Sequence, residues 1–395
     1  MGPIDAPVAG TTPAPPAVLT ADQQTNYDTF LAEVRAWETL PASSVKGAES
    51  TPLDDNERMW LTRECLLRYL RATKWNTAQA SARLRSTAVW RREFGTEKLS
   101  ASYISPENEK GKQVQLGYDN AGRPCLYLLP QNQNTKPGPR QVEHLVYMLE
   151  RTIDLHPPGQ ESLALLIDFR NTSSGGTPGL GIAKQVLDIL QNHYPERLGR
   201  ALLTHLPWYI SIFLKAINPF IDPVTKEKIK YNEPLTDHVP AAQLMKASGG
   251  EIDFKYDHDL YWPALENLAA KRRAERVERW EKAGKLIGES EVYLWGGEEG
   301  SVGAGQSATA KELVPTEPAA VKEAGLAAPA APAAPAAATD AAPAAAPAPV
   351  EAAPLSDAAV VAPPVHAPGV NGDAALAEKV ANLDVKDGEA VKTAA

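Results

Sequence analysis

Cysteine is scarce in this sequence, and long apolar runs do not occur. Only two cysteines, Cys65 and Cys125, are present among 395 residues, and both lie within apolar segments. They supply neither a disulfide framework nor a set of metal ligands, and such usage fits a reducing compartment. No stretch reaches the roughly eighteen consecutive apolar residues of a membrane-spanning helix, so we expect any membrane contact to be peripheral.

Motifs of catalysis and metal binding are also lacking. The seven histidines form no HxH or HExxH pattern, and no GxSxG sequence is present. Gly176 and Gly181 have the spacing of a phosphate-binding loop, but Ile182 and Ala183 occupy the positions where that loop needs lysine and a hydroxyl. We therefore predict no catalytic residues, no metal site and no cofactor, and a protein that is not an enzyme.

Charge is unevenly distributed along the chain. The net charge is -9, yet thirteen acidic and five basic residues lie from Gly296 onward, so the preceding part is nearly neutral. A near-neutral body does not indicate a nucleic-acid partner. The arginines of the N-terminal region fit either an anionic membrane surface or a solvated face paired with glutamates. At the N-terminus, no basic region precedes an apolar core, so we expect no secretory signal.

The composition divides the chain into five segments. Residues 1–19 and 296–395 are rich in proline and alanine, so we predict that both are disordered. Helical spacing of apolar residues predicts an N-terminal helical lobe at 20–100, which includes one helix from Asp54 to Ala72. An α/β domain follows at 101–262, and a charged helix forms a C-terminal extension at 263–295.

The α/β domain is indicated by alternating strand and helix patterns. The turn signal Asp119–Gly122 separates two strand-like segments and predicts a hairpin. Leu163–Phe169 and Ala201–Leu206 are continuous apolar runs of strand length, which are typical of parallel strands covered on both faces. Helical patterns at Arg140–Leu155 and Ile182–Leu190 alternate with these runs. We therefore predict a mainly parallel mixed sheet with helical crossovers.

The segment Trp208–Phe220 is apolar on almost every face. Such a helix is either buried all round or in contact with something apolar outside the protein, and it is too short to span a bilayer. Two interpretations remain open from the spacing: a core helix of the α/β domain, or a lid over an apolar cavity with a polar mouth. Beyond the polar stretch Asp222–Lys228, we predict a short strand near Ile229 and a helix at about Ala241–Lys246.

Several separated motifs resemble one family. Tyr69–Trp75 and Trp90–Gly95 are similar to the N-terminal helical part of the CRAL-TRIO lipid-binding proteins. Tyr194–Arg197 and Asp222–Thr225 with Lys228 resemble the core of its fungal phosphatidylinositol transfer branch. Two further stretches resemble the branch linked to pleiotropic drug resistance and sterol homeostasis: Glu109–Val114 and His144–Arg151. The resemblance covers about residues 55–285.

The resemblance implies a sheet that floors an apolar cavity closed by the helix Trp208–Phe220. It implies three sets of functional residues. The inositol phosphate headgroup would be held by Glu196, Thr225 and Lys228, with Arg197 adjacent. The open lid would engage the membrane through Trp208, Phe213 and Phe220. The cavity would be lined by Leu163, Leu165 and Ile167.

Two departures from the family pattern matter. Thr73 stands where the family prototype has an arginine tied to inositol lipid binding, which leaves Arg71 or Lys74 as substitutes. Leu163 and Leu165 replace a Ser-x-Thr pair used for phosphatidylcholine. Because missing hydroxyls would leave that lipid's phosphate unsatisfied, we predict that phosphatidylcholine is a poor ligand and that a second ligand, if any, is more apolar, such as a sterol.

The expected function is phosphatidylinositol binding and transfer between membranes, supporting phosphoinositide synthesis and lipid and sterol homeostasis. The expected partners are phospholipid, membrane surfaces and lipid kinases. We expect a cytoplasmic location, peripheral on endomembranes, lipid droplets or the cell periphery. The alternative is a carrier of another apolar ligand on the same fold, a sterol or haem, for which His193 or Tyr194 would be the feature to examine.

Overall fold

A computed structural model of the chain describes residues 1–136, 138–172 and 180–303. The α-helices of these residues are α1 Ala21–Arg35, α2 Asp55–Trp60, α3 Arg63–Ala72, α4 Thr77–Phe94, α5 Ala101–Ile104, α6 Pro139–Asp154, α7 Leu180–His193, α8 Trp208–Ile217, α9 Pro223–Lys228, α10 His258–Lys282 and α11 Glu291–Leu294. The strands are β1 Thr39–Pro41, β2 Ser50–Pro52, β3 Gln113–Tyr118, β4 Pro124–Leu128, β5 Leu163–Asp168, β6 Leu198–Thr204 and β7 Ile229–Tyr231.

The N-terminal helices form their own hydrophobic core. Thr20 begins α1 with a capping box, in which its hydroxyl accepts from the Gln23 backbone and the Gln23 side chain accepts in return. The single helix predicted from Asp54 to Ala72 is wrong. The chain breaks at Leu61, and the Thr62 hydroxyl accepts from the Cys65 backbone to begin α3.

Five strands form the main sheet in the order β3-β4-β5-β6-β7. The β3 and β4 strands pair antiparallel, which confirms the predicted hairpin, and the other three pairs are parallel. The mainly parallel mixed sheet is thus confirmed. β5 lies at its centre, and Leu163, Ala164 and Leu166 are buried. This burial explains the unbroken apolar run of the strand.

The C-terminal extension packs against the N-terminal helices. Helix α10 begins at His258, earlier than predicted, because the Asp257 side chain accepts from the Leu260 backbone; Pro263 is accommodated inside the helix. After α10, Ile287 joins the buried cluster of the N-terminal helices. The Gly288 N–H donates to the Leu61 carbonyl at 2.7 Å. The two regions therefore share one core although they are distant in sequence.

Three further regions differ from the sequence-based picture. Residues 1–19, predicted to be disordered, have no helix or strand, but Ile4 packs against the core of the α/β domain and the Ala6 carbonyl accepts from Gln243. The helix predicted at Ala241–Lys246 is instead a 3-10 turn, Ala241–Gln243. From residue 304 onward, the predicted disordered tail lies outside the described residues.

Within the described ranges, no helix is both long and apolar enough to cross a membrane.

Candidate functional site

The amino ends of β6 and β7 bring together residues from distant parts of the sequence. Glu196 lies in the turn before β6, and Lys228 is the last residue of α9, directly before β7. The two strands are parallel neighbours, with Ala201 opposite Ile229, so their amino ends meet at one edge of the sheet. The edge therefore presents a carboxylate and an ammonium group close to each other.

Lys228 is the half-buried cation of this edge. Its Nζ donates to the Leu198 carbonyl at 2.7 Å. Burial lowers the pKa of Lys228, and the charges of Glu196 and Asp222 oppose that shift. Since an ammonium group has three N–H donors, the contact with Leu198 leaves capacity for an anionic ligand.

Thr225 is positioned by the first turn of α9. The Asp222 carboxylate caps this helix and accepts from the Thr225 backbone N–H at 2.9 Å. Burial would raise the pKa of Asp222, but hydrogen bonds with the side chain and the backbone N–H of Thr225 outweigh burial and lower it. Thr225 is therefore fixed one helical turn before Lys228, so that both residues lie on one side of α9.

Glu196 is held by a residue from the N-terminal helices. Its backbone has a φ of 60°, which is uncommon for a residue other than glycine. The Arg71 Nε donates to Glu196 Oε2 at 2.5 Å, and the Arg71 Nη2 donates to Glu161 Oε2 at 3.0 Å. Both Arg71 and Glu196 are about one-third exposed. Arg71 thus reaches the edge of the sheet where the candidate site lies.

The structure separates Thr73 from this arrangement. The Thr73 hydroxyl donates to the Tyr69 carbonyl at 2.9 Å and so satisfies the end of α3. Of the two substitutes considered from the sequence, Arg71 is the one that contacts Glu196. Glu161, which binds Arg71, was not recognised in the sequence because it belongs to no motif and its role depends on a long-range contact.

Arg197 points into a buried ion network. Its Nη1 donates to the Glu161 carbonyl at 2.8 Å, and its Nη2 lies 3.6 Å from Glu291 Oε1. Burial lowers the pKa of Arg197, and the neighbouring charge of Arg68 adds to the shift. The guanidinium of Arg197 therefore links the α/β domain to the C-terminal extension, whereas Lys228 and Arg71 retain partial exposure.

The residues of the predicted lid and cavity differ in exposure. Trp208 is 63% exposed and Phe220 46% exposed, while Phe213 is half-buried. Leu165 and Ile167 are half-buried on one face of β5. Leu163, on the same face, is enclosed by a cluster that includes Val142 of α6 and Ile189 of α7. Their roles as lid and cavity residues stay predictions.

The side chains of His193 and Tyr194 pack against other parts of the protein at the end of α7. The His193 ring lies flat against Trp90, with ring centroids 4.1 Å apart. The Tyr194 hydroxyl donates to Glu150 Oε1 at 2.6 Å. Both side chains therefore have partners within the protein, and neither contact indicates a haem ligand.

The arginines of the N-terminal helices that could have marked a membrane surface are largely paired with carboxylates. Arg91 contacts Glu150 at 2.7 Å and Glu97 at 3.0 Å. Three others are paired in the same way: Arg68, Arg71 and Arg92. These pairs favour the interpretation of a face in which arginine and glutamate neutralise each other.

Models of two protein domains match this chain. The CRAL/TRIO domain model matches residues 108–250, and the CRAL/TRIO N-terminal domain model matches residues 26–86. These ranges contain Glu196, Thr225 and Lys228 in the first and Arg71 in the second. The edge described above therefore lies within the matched region.

Individual proteins are similar to a large part of the chain. A CRAL-TRIO domain-containing protein of Schizosaccharomyces pombe is 51% identical over 281 residues, 71% of this chain but only 28% of that protein. The phosphatidylinositol transfer protein PDR17 of Saccharomyces cerevisiae is 43% identical over 256 residues, 62% of this chain and 73% of that protein. The crystal structure of Sfh5 superposes with a TM-score of 0.45 at 14% identity, covering 66% of this chain and all of that chain.

Proposed function

The chain belongs to the CRAL/TRIO domain family, and from that premise we propose that it binds phosphatidylinositol and transfers it between membranes. The observation that carries the proposal is the edge of the sheet where Lys228, Thr225 and Glu196 come together beside Arg71. The relative PDR17, which carries the name phosphatidylinositol transfer protein, supports it.

The chemistry of this edge suits an inositol phosphate headgroup. The phosphodiester is an anion that needs a cation and donors when it leaves water, and Lys228 and Thr225 supply these. The Glu196 carboxylate accepts hydrogen bonds from inositol hydroxyls. Arg71 adds a second cation, and its contact with Glu196 orients that carboxylate.

Transfer is limited by the exposure of acyl chains to water. Each methylene that leaves an apolar environment costs about 0.8 kcal/mol, so a diacyl lipid does not leave a bilayer freely. In our proposal, the helix Trp208–Phe220 opens at the membrane surface, exchanges one lipid and closes over its chains. No covalent step is required.

The preference among lipid ligands depends on the apolar side chains of β5. Leu163 and Leu165 offer no hydroxyl to a choline-lipid phosphate, so we propose that phosphatidylcholine binds poorly. A sterol, which needs mainly apolar contacts, is the proposed second ligand. Delivery of phosphatidylinositol to lipid kinases would then support phosphoinositide synthesis and lipid and sterol homeostasis.

The proposed setting is the cytoplasm, with peripheral contact to endomembranes, lipid droplets or the cell periphery. Cys65 and Cys125 are both free thiols in the structure, and burial raises the pKa of each. Two buried reduced cysteines fit a reducing compartment.

The first test is mass spectrometry of lipids extracted from the purified protein, combined with a vesicle-to-vesicle transfer assay. The parent should carry and transfer phosphatidylinositol, and Lys228→Ala should lose both because the phosphate loses its cation. Lys226→Ala removes an exposed lysine from the same helix and should behave as the parent. A sterol or haem in the parent, with no inositol lipid, would overturn the proposed function and leave the fold unaffected.

A further inference from the structure

A second polar pocket opens at the carboxyl ends of the parallel strands, opposite the edge that holds Glu196 and Lys228. It has a volume of about 450 Å³ and is lined by Asp168 at the end of β5, Arg170 after it, His205 after β6, Asn232 after β7, and Ser248 from a neighbouring turn. The seven residues of β6 separate the two ends of the sheet by about 20 Å at the usual rise per residue. This pocket is therefore distinct from the proposed headgroup site.

Near this pocket, the backbone has a positive φ angle after each of three parallel strands. Asn171, His205 and Asn232 each follow a parallel strand, and their φ angles are 57°, 54° and 53°. Residues other than glycine adopt this left-handed region uncommonly, although asparagine tolerates it best. Such backbone conformations cluster at binding sites and switch regions, where the surrounding structure enforces them.

The charged groups of the pocket are arranged around one buried carboxylate. Asp168 Oδ1 accepts from the Arg170 backbone N–H and from His205 Nδ1, both at 2.9 Å. The Arg170 Nη2 lies 3.4 Å from Asp168 Oδ2 and donates to the Ala247 carbonyl at 2.7 Å. Asp168 thus holds both the imidazole and the guanidinium in place.

One donor of this arrangement has no acceptor among the described residues. The Nε of Arg170 is buried and makes no hydrogen bond within the part of the chain that the structure describes, although the side chain as a whole is 40% exposed. Both acidic residues of the pocket have partners, since Glu233 lies 2.6 Å from His238 Nε2. A buried donor without an acceptor is destabilising. The guanidinium of Arg170, which lines the pocket, therefore has donor capacity that no described group uses.

We propose that this pocket binds a small oxyanion, a carboxylate or a phosphate group, through Arg170. A guanidinium is the side chain best suited to the planar geometry of such groups. Ser248 and Asn232 supply a hydroxyl and an amide on the pocket wall. His205 lies two residues before Pro207, which is the N-cap of α8. The bound anion therefore lies close to the N-terminus of the lid helix.

The test is calorimetric titration of the full-length protein with inorganic phosphate and with acetate. The parent and Lys228→Ala should both bind, because the proposed headgroup site is at the other end of the sheet. Arg170→Gln should weaken binding by about tenfold or more. Arg58→Gln, which removes a guanidinium from α2, should bind as the parent does. No binding by the parent, or binding lost in Lys228→Ala and kept in Arg170→Gln, would overturn the proposal.

A second variant tests the proposal independently, in case Arg170→Gln does not fold. Ser248→Glu places a carboxylate in the pocket without removing any contact of Arg170, so it should abolish anion binding while the thermal unfolding temperature stays at or above that of the parent. Unchanged phosphate binding by a folded Ser248→Glu contradicts the assignment.

Sedimentation with phosphatidylcholine vesicles, with or without phosphatidic acid, identifies the source of the anion. If phosphatidic acid increases the amount of protein that sediments with the vesicles, and Arg170→Gln removes that increase, the pocket binds lipid phosphate. If the parent and Arg170→Gln sediment equally, and the parent binds the anion in calorimetry, the pocket binds a soluble anion.

Discussion

His193 is an example of a single side chain whose environment sets a pH dependence. Its ring stacks on Trp90 and its Nδ1 lies 3.1 Å from the Thr87 hydroxyl. Burial lowers the pKa of His193 to about 4, and the charges of Arg83 and Arg91 contribute. Below the ordinary histidine pKa of about 6.5, the unfolded chain takes up a proton that the folded chain does not. Stability from this residue is therefore present above that pH and is lost as the pH falls toward 4.

His193→Phe should reduce this acid sensitivity, because phenylalanine keeps an aromatic ring on Trp90 and cannot titrate. Between pH 7 and pH 5, we expect the free energy of unfolding to fall by about 2 kcal/mol less in the variant than in the parent. Urea denaturation at the two pH values measures the difference. The buried His144 and His156 titrate alike in both proteins, so an equal fall in parent and variant would show that His193 does not carry the effect.

Helix α8 shows how exposure bears on two interpretations that spacing leaves open. Ile210 and Ile217 are buried, whereas Trp208 is 63% and Ile212 45% exposed. A core helix would bury both faces, so this distribution favours the lid. The end of the segment is tied to α7, because Gln191 donates to the Phe220 carbonyl at 2.8 Å and the Lys184 ammonium lies 5.4 Å from the centre of the Phe220 ring.

Trp208→Asp should impair lipid transfer with little effect on stability. The indole is largely exposed, so its loss costs few contacts in the folded protein, but a charge at this position opposes insertion into the membrane interface. We expect at least a severalfold lower rate of vesicle-to-vesicle transfer at an unfolding temperature near that of the parent. Leu260→Asp changes another exposed apolar residue, on α10, and should transfer normally. Equal transfer rates for Trp208→Asp and Leu260→Asp would show that Trp208 has no specific role in transfer.

At the scale of the whole molecule, local patterns predicted the main sheet strands and several helices, but not how distant segments meet. The run Leu163–Phe169 and the turn at Asp119 were sufficient to predict a central strand and a hairpin, because burial and turn chemistry are encoded locally. Nothing local indicates that Ile287 completes the core of the N-terminal helices, or that Arg71 contacts Glu196. The headgroup positions came from the family resemblance, and the choice of Arg71 over Lys74 as the second cation required the tertiary structure.

A buried ion network joins these distant segments. Glu291, in the C-terminal extension, accepts from Arg68 Nη2 at 2.7 Å and from the Thr62 hydroxyl at 2.8 Å. Arg68 also binds Glu161, which binds Arg71 of the candidate headgroup site. Burial raises the pKa of Glu291, but the charges of Arg68 and Arg197 outweigh burial and hold it below the ordinary range. Glu291 is therefore a buried anion that interacts with two buried cations, Arg68 and Arg197.

Glu291→Gln should destabilise the whole molecule, because Arg197 would remain buried without its carboxylate and Arg68 would keep only Glu161 as a carboxylate partner. Removing one partner of such a network costs about 3–5 kcal/mol. Chemical denaturation measures the loss, with Glu278→Gln as the control, since Glu278 forms a solvent-exposed pair with Lys282 on α10. A loss no larger than that of the control would mean that the network does not hold the C-terminal extension to the N-terminal helices. A large loss, with phosphatidylinositol binding weakened beyond what the unfolded fraction explains, would show that the network also positions Arg71 for the headgroup.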